Sequence, residues 1–500
     1  MQVAELPGLL ALFGILSIGL GIIISLVRPL KARRLVPMSS LVSLFFFVAA
    51  WVSLEQTPFA SMGLDLVPGL WLNRLSMSVS CLVALLSWVV TRYAVRYLDG
   101  DAVQSRFFLY AQFTVAMVLL MILTNHFLFL VVAWSGTGLG LNRLLCLYRD
   151  RPEALRTAQH KFIISRLGDV AIMGAAYFIW ENFRSFHLPT VWSMVEAGQG
   201  GGDVIGILLV IAALTRSAQV PFHSWLPETL DTPTPVSALM HAGIINAGGY
   251  LILRTLPLVT PTALGILGLF GFLSIVIAGL TMLATPDRKR QLALSTSAQM
   301  GFMFLQISFG LPTAGLMHML GHAFYKAHCF LASGELSRFR QTQVNWAWGG
   351  TVATISLLIL TALPLLVFMQ AGATIFTLGH AVSLSLSILA LGSGLLLHAT
   401  LAPSRGHIAV GAMIIMVAGP LLLTLSHKAG SFLLSPPRPY LEAHDAILLL
   451  VTAGSMGLFV LQRSLSSWPA VKRWAFLTHA RHGFYFHAMT QRLIGKVNHV

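Results

Sequence analysis

A polytopic, all-α membrane protein is the fold class this sequence predicts, and three observations predict it. Apolar residues make up 56% of the 500. Charged residues make up 10%, against about a quarter in soluble domains. Apolar runs recur along most of the length, at residues 6–27, 41–54, 75–90, 107–123, 127–147, 205–214, 263–284 and 447–461, the shorter ones extending into weakly polar flanks. Runs of about 18 residues are long enough to cross a bilayer as helices. The pattern predicts about 15 transmembrane helices. The first run is too long for the apolar core of a signal peptide and lacks a small-residue cleavage site after it, so it is expected to be a span.

The 32 Lys and Arg outnumber the 17 Asp and Glu. In a soluble protein that excess would suggest nucleic acid; here the positive-inside rule accounts for it. With the N-terminus outside, one set of loops and the tail hold twenty-three basic residues, among them Arg28, Lys31, Arg33, Arg34, Arg156, Lys161 and Lys289. The opposite set holds five: Arg74, Arg184, Arg254, Lys428 and Arg438. The C-terminus is therefore expected in the cytoplasm, and no nucleic-acid partner is expected. Arg143, Arg166, Arg216 and Lys326 remain, inside or at the ends of spans. Cys81, Cys146 and Cys329 stand apart in apolar surroundings and read as packing residues.

No soluble domain interrupts the spans. Residues 1–125 read as N-terminal helices, 126–400 as the transmembrane core, 401–462 as C-terminal helices and 463–500 as a basic amphipathic tail. The longest polar insertions are 55–74 and 185–203, the latter ending in a flexible "AGQGGGD". The tail mixes basic residues with Trp474, Phe476, Phe484, Tyr485 and Phe486. It suits the cytoplasmic membrane surface or a partner, or simply anchors the last span.

One stretch breaks the apolar pattern: "ALTRSAQVPFHSWLPETLDTPTPVSALMHAGIINAGGYLILR", residues 213–254. Pro221 lacks an N–H and its ring clashes with the preceding turn, so the helix should break after Gln219. Pro227 follows in a short connecting segment, and Pro233 and Pro235 lie where a helix restarts. Freed backbone groups in hydrocarbon must be satisfied by protein or a water-lined cavity. Such a break lines a polar path or is a structural kink.

Ionisable residues cluster around it. Arg216 precedes the break and His241 follows it in the next span. "HKFIISRLGDVAIM" sets Arg166 and Asp169 three apart on one helix face. "GLMHMLGHAFYKAHCF" sets His318, His322 and Lys326 in one stripe. Intramembrane ionisable groups are costly and point to ion or proton relays, for which histidine is suited. Plainer roles are a static Arg166–Asp169 ion pair and a zinc pair at His318 and His322, the latter without a completing carboxylate or cysteine. His223 and His398 read as satisfying local hydrogen bonds, and His126 as a boundary residue.

With those residues named, "TRSAQVPFHSWLPETLDTPTPVSALMHA" resembles the signature of the antiporter-like membrane subunits of respiratory complex I and of multi-subunit sodium/proton antiporters. "HKFIISRLGDV", "TPDRKRQLALSTSAQMGFMFL" and "HMLGHAFYKAHCFLASGEL" resemble further stretches in the same order, so the similarity covers roughly residues 131–340. The resemblance implies inverted repeats of five helices, each with one broken helix, and a cation path (H+ or Na+) along the membrane midplane. It places Arg216 where the family has its central lysine. His241, His318, His322 and Lys326 fall at relay positions, and Asp169 beside the path.

The departures narrow the likeness. Ser135, in "VAWSGTGLGLNRLL", stands where proton-pumping relatives have a glutamate. Arg216 cannot release its proton in a protein. In the second broken helix "LTALPLLVFMQAG" offers only Gln370. With "HAGIINAGG" and the short C-terminus, these features are most similar to the DabB branch, membrane subunits of bacterial inorganic-carbon accumulation. In that branch DabB works with DabA, a large partner with a carbonic-anhydrase-like zinc site. The resemblance implies a subunit of the bacterial inner membrane that couples a cation gradient to CO2 hydration. It implies no cofactor in this chain, and zinc in the partner. An antiporter subunit, a complex I-like quinone-reductase subunit and a non-conducting scaffold are the other readings.

Overall fold

The computed structural model describes residues 6–57, 64–67, 69–333, 432–434, 468–486, 488, 489 and 492. Helices dominate: α1 (Leu6–Val27), α2 (Pro29–Glu55), α3 (Arg74–Tyr97), α4 (Gln104–Leu123), α5 (Phe127–Leu145), α6 (Pro152–Phe183), α7 (Leu188–Glu196) and α8 (Gly202–Arg216). After the break come α9 (Thr234–Ala242), α10 (Ala247–Arg254), α11 (Pro261–Ala284), α12 (Arg288–Ser308), α13 (Pro312–Leu331) and, in the tail, α14 (Ala470–Arg481). Among the described residues eight helical stretches are long and apolar enough to cross a membrane, with α9 and α10 counted together. The chain is an all-α, multi-span membrane protein. The spans expected beyond residue 333 and the second broken helix at Gln370 lie outside the described residues.

Local chemistry sets the helix starts. Asn73 caps α3 in a reciprocal capping box with Ser76, and the side chains of Thr260 and Asp287 cap α11 and α12. Proline opens α2, α6, α11 and α13, where its missing N–H costs nothing.

Two sequence expectations need correction, and both polar insertions carry structure of their own. Arg28 alone separates α1 from α2, so Lys31, Arg33 and Arg34 lie in the first turns of α2 rather than in a loop. Arg33 pairs with Asp99 at 3.0 Å. Within the insertion at 185–203, α7 precedes the glycine-rich end. The insertion at 55–74 carries an antiparallel ribbon, β1 (Leu64–Val67) and β2 (Leu70–Leu72), turned at Gly69 with φ +95°. Lys161 and Arg254, counted as loop charges, are 2% and 5% exposed inside α6 and α10.

α1 and α2 turn large apolar side chains outward, whereas α9–α10 is 94% buried at the centre. α12 and α13 pack against each other, and α13 packs against α9 of the broken helix. α14 packs on α11, and Phe486 of the tail meets His223 edge-on at 5.5 Å. The tail therefore lies against the protein with Val471 and Trp474 exposed on its outer side.

Candidate functional site

The break comes three residues earlier than Gln219: α8 ends at Arg216 and an irregular turn carries Pro221. Ala218 has φ +49° and the Val220–Pro221 bond is cis. Pro227 enters a 3-10 turn (Leu226–Asp231), while Pro233 caps α9 and Pro235 lies in its first turn. A second interruption at Gly243 divides α9 from α10, bridged by the 3-10 turn Ile244–Asn246.

Side chains from neighbouring helices satisfy the freed backbone. Val220 donates its N–H to Ser274 Oγ at 2.9 Å, and Ser297 Oγ donates to the Ala218 carbonyl at 2.6 Å. Ser217 Oγ donates to the Ile245 carbonyl at 2.7 Å, which ties the two interruptions together. Gln219 Nε2 donates to the Ser217 and Ser297 carbonyls at 2.8 and 3.1 Å. Lys289 Nζ donates to the carbonyls of Leu230 and Thr232. In a membrane interior these bonds are what permits an irregular backbone.

Two ionisable clusters flank the break. In the first, Arg216 donates through Nη2 to the Trp134 carbonyl at 2.6 Å, and its guanidinium carbon lies 4.3 Å from the Trp134 ring centroid. Asp169 Oδ1 is 3.9 Å from Arg216. Arg166 lies 2.6 Å from Asp169 Oδ2, an ion pair whose angles fall outside those of a hydrogen bond. The expected shared face of Arg166 and Asp169 is therefore present, and so is the contact that a static pair would make. Arg216 rests on the face and carbonyl of Trp134, next in sequence to Ser135, so a π surface and a peptide dipole take part in holding its charge.

In the second cluster His241 Nδ1 meets Thr296 Oγ1 at 3.1 Å and its ring stacks on Phe330 at 4.2 Å. Lys326 Nζ donates to the Leu292 carbonyl at 3.0 Å and to Ser295 Oγ. His318 Nδ1 meets Gln306 Oε1 at 3.2 Å, and its ring lies 6.5 Å from that of His322. Both ring nitrogens of His322 and Nε2 of His241 are buried without a hydrogen-bond partner among the described residues. No group of three or more His, Cys, Asp or Glu suited to a metal occurs among those residues.

The sequence reading missed the piece that links the clusters. On α12, Leu292 and Ser295 hold Lys326, Thr296 holds His241, and Ser297 holds the broken turn. The polar run "STSAQ" in the middle of α12 was the available signal. It also missed Lys161, whose Nζ donates to the Gly138 carbonyl at 2.6 Å beside Arg216.

Residues 124–402 match the family described as NADH:quinone oxidoreductase/Mrp antiporter, transmembrane, and residues 59–108 match the NADH-ubiquinone oxidoreductase (complex I) chain 5 N-terminus. The chain is 37% identical over 342 residues to the probable inorganic carbon transporter subunit DabB2 of Halothiobacillus neapolitanus, covering 66% of this chain and 59% of that one. It is 32% identical over 315 residues to NADH-quinone oxidoreductase subunit L of Escherichia coli, covering 60% and 51%. It thus spans little more than half the length of these curated relatives. Its fold is similar to a chain of an archaeal membrane-bound sulfane sulfur reductase (TM-score 0.63, 17% identity, covering 86% of this chain and 98% of that one). It is also similar to a chain of the Mrp complex from Dietzia sp. DQ12-45-1b (TM-score 0.62, 20% identity, covering 97% and 60%).

Proposed function

The chain belongs to the NADH:quinone oxidoreductase/Mrp antiporter transmembrane family, and on that premise we propose that it is the energy-coupling membrane subunit of an inorganic-carbon accumulation complex in a bacterial inner membrane. A cation, H+ or Na+, runs down its gradient past His318, His322, Lys326 and His241, while Asp169 and Arg216 shape the field at the break. A DabA-like partner on the cytoplasmic side carries zinc and hydrates CO2.

The observation that carries the transport reading is the polar line from Lys326 and His241 through Ser295, Thr296 and Ser297 on α12 to the broken turn. Such a line costs stability in a membrane and is retained where ions or protons pass. The likeness to the DabB subunit supports carbon accumulation as the task, as do Ser135 and Arg216, which depart from the acid–base pair of self-sufficient pumps.

Lys326→Ala and His241→Ala should each abolish growth at ambient CO2 while the complex still assembles, measured by co-purification of the partner. Normal CO2-dependent growth of both variants would remove these residues from the path. A sodium/proton antiporter subunit is the second reading, favoured by the fold shared with the Mrp chain. It predicts rescue of salt-sensitive cells instead.

A further inference from the structure

Arg216 occupies the break but cannot release its proton, which leaves the first cluster without an obvious carrier. A second buried cation stands beside it. Lys161 lies in the third turn of α6, 2% exposed, with Nζ 2.6 Å from the Gly138 carbonyl. Arg216 bonds the Trp134 carbonyl, one turn earlier on the same helix α5. The two cations therefore hold carbonyls separated by one helical pitch, about 5.4 Å.

Gly138 makes this approach possible. A Cβ built there would lie 3.3 Å from Arg216 Nη1 and 3.7 Å from Arg166 Nη2, tighter than ordinary packing at the first contact. Three cations thus converge on one glycine, with Asp169 as the carboxylate among them. Cys146, at the end of α5, is the other titratable neighbour of Lys161. Glu228, on the 3-10 turn that packs against α6, is engaged by Arg290 at 2.8 Å. Of the groups that face Lys161, neither guanidinium can change its charge, and Asp169 is engaged by Arg166.

We propose that Lys161 is the proton-exchanging group of the broken-helix site, with Arg216 as its fixed charged neighbour. The ammonium gives one proton to a water: an N–H bond breaks, an O–H bond forms, and H3O+ leaves while the electron pair stays on nitrogen. The amine keeps an N–H on the Gly138 carbonyl and later takes a proton back. The net charge of the cluster rises and falls with each exchange, and Arg216 stays put on Trp134. The proposal rests on the transport reading above.

The test is cation-driven proton flux in membrane vesicles carrying the full chain with its native partners, with the amount of chain measured in each preparation. Lys161→Arg keeps the charge and the hydrogen-bond donor but cannot exchange a proton, and Lys161→Gln keeps only the donor. Both should lose flux at least tenfold at normal protein level. Wild-type flux in Lys161→Arg would overturn the proposal, because a structural cation would tolerate arginine. Lys161→His is the second arm, which stands even where the other two variants do not accumulate. A carrier with histidine's lower ordinary pKa should move the midpoint of the flux–pH profile to acid by about a unit or more, and an unmoved midpoint would overturn the assignment. No cation-dependent flux in the unsubstituted chain would instead overturn the transport reading itself.

Discussion

Single residues decide how closely the helices around the break can approach. Gly168 on α6 faces Thr215 on α8, and a Cβ there would lie 2.2 Å from Thr215 Oγ1. Gly168→Ala should therefore cost about 1–3 kcal/mol through overpacking. Thr215→Ala in the same chain should recover most of that loss, which melting of the purified variants in detergent would measure; an additive pair would show that the contact is not the cause. This level of detail was hidden in the sequence. "RLGD" announces an ion pair, but the neighbour that its glycine must accommodate, Thr215, comes from another helix, 47 residues further along the chain. Lys161 was hidden for a related reason. A basic residue nine positions after Pro152 looks like the flank of a span, and only the 32-residue length of α6 carries it into the interior.

Elements were easier to read than their partners. The proline spacing in 213–254 announced a break and a restart, and both are present; proline's missing N–H and fixed φ act locally, whatever packs around it. The helices that rescue the broken backbone were not legible, because Ser274 and Ser297 are ordinary residues until their distant acceptors and donors are known. They make a prediction at this scale. Ser274→Ala strands the Val220 N–H and Ser297→Ala strands the Ala218 carbonyl. Each should destabilise by about 1–3 kcal/mol, the cost of a buried polar group left unpaired. Thermal melts would check it, and both variants should also lose flux, since the turn would shift or admit solvent. Stability unchanged in both would mean that other groups satisfy the turn. Arg254 illustrates the same blindness at the other end of the segment. It read as a loop charge, yet it donates to the Ile122 and Thr124 carbonyls at 2.7 and 2.5 Å and so closes the C-terminal end of α4.

At the scale of the whole molecule the question is where the chemistry takes place. The described interior has histidines and lysines in a line, but no three metal-binding side chains gathered together. A proton or sodium path releases the free energy stored in an ion gradient, yet hydrating CO2 requires a nucleophilic hydroxide, which zinc supplies at neutral pH by acidifying bound water. On the proposed function a partner holds the metal and stays docked while the cation moves, since coupling requires that each event bias the other. Gentle extraction and pull-down of this chain, with mass spectrometry and zinc analysis, should therefore yield a large zinc-bearing protein at stoichiometric level. Removing the zinc by chelation should stop carbon accumulation without dissociating the pair. Several small hydrophobic subunits and no zinc would identify an antiporter assembly, and iron–sulfur proteins a respiratory one. In either case the work driven through the proposed path along α12 would be different.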